Sequence, residues 1–336
     1  MQQNISERDN LLLAFAHKQP AYLPSLLTDS TLWMANQSME RYTGESRGKD
    51  AFGVEWLYEP NVGAPMPVPG QYLFTDICDW KKAITIPDVE AIDWEKQAET
   101  DKAMDINHFH RSMIGMDDNR DLFREVMVIN GMFERMHACI GFENAYIALM
   151  TEPEACYEFF GAIADYKIAY FRKIAQYYHV DAINAHDDYG SVDRMLISPD
   201  IFRTLLKPHL KRMVDACHEM GILYQHHSCG FIEPIFADLV EIGVDAIDPL
   251  QACNTHLPEL KAQYGDRITF CGGFDNQGIL LQPDVTEAQI RQEYRRVIDS
   301  LAPGGSYAVH IISAGQAMPT ILDEHQSYGR DFYSRS

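Results

Sequence analysis

From about residue 125 onward the apolar and polar positions repeat one figure: a short β-rich apolar run, a polar cluster, then an amphipathic helix. The runs are EVMVING (125 to 131), VDAINAHDD (180 to 188), GILYQHH (221 to 227), VDAIDPLQ (244 to 251), RITFCGG (267 to 273) and SYAVHII (306 to 312). Strands that alternate with helices predict a parallel sheet of βαβ units. Near-continuous apolar stretches such as Val126 to Ile129 suit a sheet covered on both faces. Adding AYLPSLL (21 to 27) and one weaker segment completes the strands of a (β/α)8 TIM barrel. A doubly wound sheet shows the same alternation, but no Gly-rich nucleotide loop follows the first strand, so the α/β class is read as a barrel.

The first 120 residues follow another pattern, with a helix near SERDNLLLAFAHK, a turn-rich stretch EPNVGAPMPVPGQYLF (59 to 74) and a polar segment PDVEAIDWEKQAETDKAM (87 to 104). Three prolines and two glycines within 63 to 70 predict a loop or an irregular hairpin. The chain is therefore read as one barrel domain, 1–336, in which residues 1–120 supply helices and a cap over the mouth and 121–336 the main part of the barrel.

Composition narrows the setting. With 336 residues and 46% hydrophobic content the chain can bury one large core. Twenty-eight basic against 49 acidic residues, a net charge of −21, argue against nucleic acid as a partner, because phosphate neutralisation needs clustered Lys and Arg. No apolar run reaches the length of about 18 that a membrane span needs, and the N-terminus MQQNISERDN lacks the pattern of a signal peptide, so a cytoplasmic location without membrane association is expected. The seven cysteines form no CxxC pair and are expected to be free thiols. Self-association into a homodimer is left open.

Polar residues gather where the runs end: Asn130 and Glu134, Asp187 and Asp188, His227 and Cys229, Asp248 and Gln251, Asp275, and His310. In a (β/α)8 barrel that face carries the active site. In GILYQHHSCG (221 to 230), alternation along a strand sets His227 and Cys229 on one side and His226 and Ser228 on the other. An imidazole and a thiolate one strand step apart can chelate a zinc ion, with a third ligand drawn from Cys271, Asp248, Glu134 or His310. The plain alternative is a core cysteine beside a satisfied histidine. Asp187 and Asp188 can divide into an ionised and a protonated carboxyl, giving an acid for a leaving oxygen, or one of them can cap a helix. Asn130, Asn184 and Gln251 are candidates to orient substrate oxygens, and Glu134 and His310 to contact substrate. Trp56, Tyr58, Tyr72, Phe74 and Trp80 could form a flat pocket for an aromatic ring or simply pack.

HHSCGFIEPIFADLVEIGVDAIDPLQ, followed by LKAQYGDRITFCGGFDNQGIL, resembles the C-terminal half of the uroporphyrinogen decarboxylase superfamily, whose barrel also serves zinc-dependent corrinoid methyltransferases. The likeness runs from ERDNLLLAFAHKQPAYLP to YGRDFY. AFGVEWLYEPN and LFTDICDWKKAITIPDVEAIDW most resemble the methyltransferase I components of aryl-ether O-demethylases. The resemblance implies a barrel, a zinc ion on His227 and Cys229, and transfer of a methyl group from a methoxylated aromatic compound to the Co(I) of a corrinoid (cobalamin) protein. It leaves as alternatives a tetrapyrrole decarboxylase, methyl transfer from the corrinoid to a thiol or folate, and a silent binding barrel.

Three departures qualify it. The decarboxylase binds propionates through an Arg-Gln-Ala-Gly-Arg motif, whereas LPSLLTDSTLW stands here, with no arginine between Arg8 and Arg41. Coenzyme M methyltransferases add a late zinc cysteine, where HIISAGQAMP (310 to 319) has Gln316. The Glu-x14-Glu-x20-His zinc motif of the O-demethylase branch is matched by Glu143, Glu158 and His179, yet 153 to 179 has helical period. At about 1.5 Å per residue a straight helix separates Glu158 from His179 by roughly 30 Å, too far to share one ion.

Overall fold

The computed structural model describes residues 5–35, 37–44, 46–60, 63–312 and 314–335. Its strands are, in chain order, β1 (Ser30–Met34), β2 (Gly48–Lys49), β3 (Glu55–Glu59), β4 (Ala64–Pro67), β5 (Phe123–Val128), β6 (Ala182–His186), β7 (Leu223–His227), β8 (Ala246–Gln251), β9 (Thr269–Phe274) and β10 (Tyr307–Ala308). β1 and β5 to β10 lie side by side in that order in one seven-stranded sheet, every neighbouring pair parallel. Each crossover advances one place in the same direction, as in a barrel, whereas a doubly wound sheet reverses at a switch point.

The sheet is curled. A single parallel bridge, Ser25 to Val309, brings the chain just before β1 against the far edge, with the Leu26 N–H donating to the Val309 carbonyl and the Val309 N–H to the Pro24 carbonyl, both at 2.9 Å. The eighth place in the ring, expected as a strand at AYLPSLL, is thus held by one bridge. Pro24 has no N–H to extend a ladder, and the Ser25 N–H is taken by the Asp29 carboxylate at 3.1 Å. The result is an α/β half-barrel rather than a closed ring of eight strands.

Alternation along the strands divides the core. Val126, Ile183, Tyr224, Ile247, Phe270 and Tyr307 join the large apolar cluster shared with the outer helices. Phe123, Ala182, Ala246, Cys271 and Ala308 join a second cluster with Leu11 and Phe15 of α1 (Glu7–Phe15). The Phe15 ring stacks on Phe123 at 5.1 Å, Thr269 Oγ1 donates to the Ala14 carbonyl at 3.0 Å, and Arg8 pairs with Asp181 at 2.7 Å. α1 therefore plugs the N-terminal end of the strands and leaves the other end for chemistry. After β5 come α2 (Met132–Ile140) and, beyond a further helix, α3 (Pro153–Tyr178). α3 opens on a proline in its first turn and buries Phe159, Phe160, Ile163, Phe171 and Ile174 at helical spacing.

The turn-rich stretch contains the β3 and β4 hairpin, with Trp56 opposite Pro67, and β2 completes a small antiparallel sheet; residues 61 and 62 of that stretch lie outside the described residues. Trp56 and Phe74 are buried, while Tyr58 and Tyr72 are exposed, so these aromatics do not form one pocket. A buried ion network ties the N-terminal segment to the helices. Arg135 of α2 bonds Asp50 at 2.6 Å and Glu40 at 2.9 Å, Lys167 of α3 pairs with Glu40 at 2.9 Å, and the Trp56 indole N–H donates to Asp50 at 2.9 Å. Among the described residues no helix is long and apolar enough to cross a membrane. All seven cysteines are free.

Candidate functional site

β6 and β7 pair in parallel with His186 directly opposite His227, so the same face of two adjacent strands ends in an imidazole on each. The rings stack at 4.0 Å. Two residues on, Asp188 follows His186 and Cys229 follows His227, and the two loops are tied by the Cys229 N–H donating to Asp188 Oδ1 at 2.7 Å. Cys229 Sγ lies 3.7 Å from His227 Nε2, so imidazole and sulfur converge as alternation along the strand requires. Ligand atoms of His186, Asp188 and His227 all fall within 4.8 Å of one another. His227 is buried, and His186 and Asp188 are half-buried.

The sequence does not make His186 stand out, because HDD draws attention to its two carboxylates. The signal is nevertheless there: His186-x-Asp188 has the same spacing as His227-x-Cys229. The neighbouring Glu134, in the first turn of α2, bonds His186 Nδ1 at 2.7 Å, which leaves Nε2 for a ligand, 3.8 Å from Asp188 Oδ1. A carboxylate behind a ligating imidazole fixes its tautomer and orientation.

The charges in this cluster oppose one another. Burial works against a charged His186, but Glu134 and Asp188 outweigh it and raise its pKa to about 9. Burial, together with His186, His310 and His226, holds His227 well below the ordinary imidazole range, so its ring is neutral. Burial and the surrounding carboxylates, led by Asp188, push the Cys229 thiol up. His227 Nδ1 is buried with no hydrogen-bond partner. A neutral imidazole with an unpartnered nitrogen, a second imidazole and a carboxylate form a donor set that fits zinc, which in catalytic sites takes about three protein ligands and keeps one position open.

The other expected residues are placed differently. The Asp187 carboxyl accepts the Phe133 N–H at 3.1 Å, the Glu134 N–H at 2.9 Å and the Tyr189 hydroxyl at 2.8 Å, which ties it to the start of α2, while burial, with Glu134 adding, raises its pKa to about 7. Gly131 allows this approach, since a Cβ there would collide with Asp187. Cys271, expected as a third ligand, is not gathered with the triad; it sits among Phe15, Ala182, Ala246 and Ala308 over the α1 plug. Asn130 spends its amide on the Glu40 carbonyl and on Arg41 at 2.9 Å. Asn184 donates to Asp248 at 2.6 Å, and Asp248 also bonds His310 Nδ1. Gln251 accepts the Gly230 N–H at 2.5 Å and donates to Asn276 at 3.1 Å, which braces the loop carrying Cys229.

Gln251 also lines a cleft of about 610 Å³ with Phe231, Cys253, Asp193, Asp275 and Asn276, within the size range of small-molecule sites. Gln316 points elsewhere, donating to the carbonyls of Gln282 and Pro283 at 3.1 and 3.0 Å. Glu158 lies within α3, paired with Lys81 at 2.6 Å, and His179 is the C-cap of the same helix, so the two are held apart as the helical spacing requires.

A curled parallel α/β sheet with a histidine and carboxylate cluster at its C-terminal end defines a barrel-type protein whose candidate site lies where barrels of this kind carry theirs. The chain belongs to the uroporphyrinogen decarboxylase (URO-D) family, whose model matches residues 127–326. A solved methyltransferase from Methanosarcina mazei shares the fold with a TM-score of 0.67 at 15% identity, covering 97% of this chain and 99% of that one. A solved endo-1,4-beta-xylanase from Caldicellulosiruptor owensensis, 12% identical over 46% of this chain and 56% of that one, reaches a TM-score of only 0.28. No curated protein matches.

Proposed function

We propose that this chain is a methyltransferase that takes the methyl group of a methoxylated aromatic compound and passes it to the Co(I) of a corrinoid protein. The observation that carries the reading is the convergence of His186, Asp188 and His227 on one point at the mouth. These residues would hold a zinc ion, with Cys229 beside them and Glu134 behind His186. When bound, zinc supplies a Lewis acid that draws off the charge developing on the ether oxygen, whose phenolate has a parent pKa near about 10. Asp187 positions the first turn of α2, and with it Glu134. Gln251 holds the Cys229 loop against the cleft in which the aromatic ring would lie. The cobalt supplies the nucleophile, so the chain needs none of its own. Within residues 1–120 the part around Glu40 and Asp50 acts as the cap, anchored through Arg135 and Lys167, while α1 closes the opposite end and β1 belongs to the sheet. Tetrapyrrole decarboxylation fits less well, because the cleft is lined by Asp193 and Asp275 and by no Lys or Arg to receive propionates.

The test combines metal and turnover. Zinc should bind at one equivalent, be lost in His186→Ala and His227→Ala, and be kept in Cys271→Ala and Gln316→Ala. Mixed with a reduced corrinoid protein and a panel of methoxybenzenes, the wild-type chain should generate methyl-Co(III) absorbance. Silence with every donor would remove the reading.

A further inference from the structure

We propose that His310 gives a proton to the oxygen left behind when the methyl group departs, and that Asp248 and Asn184 are its positioning residues. The role rests on the methyl-transfer reading above. His310 follows β10, across the barrel interior from the His186 and His227 pair. Its Nδ1 is bonded to one oxygen of Asp248, while the other oxygen accepts the Asn184 amide at 2.6 Å. Asp248 is fully buried and His310 is 7% exposed, so the dyad is fixed inside the sheet. With Nδ1 committed to the carboxylate, Nε2 is the nitrogen left to meet a substrate.

Elimination points the same way. Ligand imidazoles and carboxylates must be deprotonated, so His186, Asp188 and His227 have no proton to give once they hold an ion. Asp187, although burial and Glu134 raise its pKa to about 7, has both oxygens occupied by donors from the start of α2 and from Tyr189. His226 packs between the rings of Tyr189 and Tyr224 with both nitrogens unpartnered. A barrel interior is ordinarily filled with branched aliphatic side chains, and a buried carboxylate and imidazole cost desolvation energy that packing alone does not offset.

The groups facing His310 are Asp248 and Glu125, which favour its charge, and His110 and His227, which oppose it. Burial lowers its proton affinity, but Asp248, aided by Glu125, outweighs that and raises it above the ordinary imidazole range. In the step itself the ether C–O bond breaks and its electron pair stays on oxygen. The methyl carbon is taken by the electron pair of Co(I), the Nε2 proton neutralises the phenolate, and solvent returns a proton to His310.

The experiment compares two donors that differ in how much they need an acid: a methoxyphenol, and 4-nitroanisole, whose leaving group is stable as an anion. His310→Asn should slow methyl transfer from the methoxyphenol by about 10²- to 10⁴-fold, the usual worth of a general acid, and leave 4-nitroanisole within a few fold. The alkaline limb of the pH profile should vanish for the methoxyphenol. Asp248→Asn should reproduce the donor selectivity, and NMR titration should show the His310 ring losing its proton at lower pH in that variant than in wild type. Zinc content should not change in either. An equal fall for both donors, lost zinc, or an unshifted His310 titration would overturn the role while leaving the methyl-transfer reading in place. A wild-type chain that transfers no methyl group would remove both.

Discussion

The sharpest prediction concerns Asp187, because its two readings separate cleanly. If it is the cap of α2, replacing it harms folding and spares the metal; if it is an acid, folding is spared and methyl transfer is lost. Three buried donors converge on it, and the side chain belongs to a residue only 4% exposed. Asp187→Ala leaves the two backbone N–H groups and the Tyr189 hydroxyl unpaired. At about 1–3 kcal/mol for each unsatisfied buried group the loss is at least about 3 kcal/mol, above the roughly 0.5–2 kcal/mol of an ordinary cap. That is a large share of the about 5–15 kcal/mol that holds a domain folded, so Asp187→Asn is the informative variant. Its amide keeps one acceptor oxygen, turns the other into a donor facing donors, and should cost about 1–3 kcal/mol. Urea unfolding followed by tryptophan fluorescence reads this as a lower midpoint at unchanged slope. Zinc should remain at one equivalent. An unchanged midpoint together with abolished methyl transfer would refute the capping argument.

Two further outcomes are expected. Arg135→Met leaves Glu40 and Asp50 buried without their guanidinium and should destabilise by about 3–5 kcal/mol in the same unfolding assay; a loss below about 1 kcal/mol would mean that the N-terminal segment is not anchored there. Glu125 is buried, and burial with Asp248 adding raises its pKa from 4.5 to about 8, so the folded chain binds a proton that the unfolded chain releases across that window. Its contribution to stability is therefore complete below about pH 4.5 and is lost as pH rises toward about 8. Glu125→Gln should flatten the fall in unfolding free energy over that range; an unaltered slope would show that Glu125 is ionised in the folded chain.

Much of the architecture can be read from residue order alone. The apolar runs locate β5 to β9 within about three residues of where they form, and helical spacing alone separates Glu158 from His179. The convergence of His227 and Cys229 is legible because the parity of a strand is a local property. What the order of residues leaves open is height and company along the barrel. Cys271 and His227 both turn inward, yet one lies over the α1 plug and the other at the mouth.

His186 became the partner of His227 only because β6 and β7 pair in that register, and a slip of one residue would have turned its ring outward. Asp187 and Asp188, adjacent in sequence, differ in role because the start of α2 comes to lie against the first and the Cys229 loop against the second. Local periodicity thus determined the elements and the faces of their side chains. Strand register and the packing of α2 against β6, which join residues about 50 positions apart, decided which of those side chains share a site.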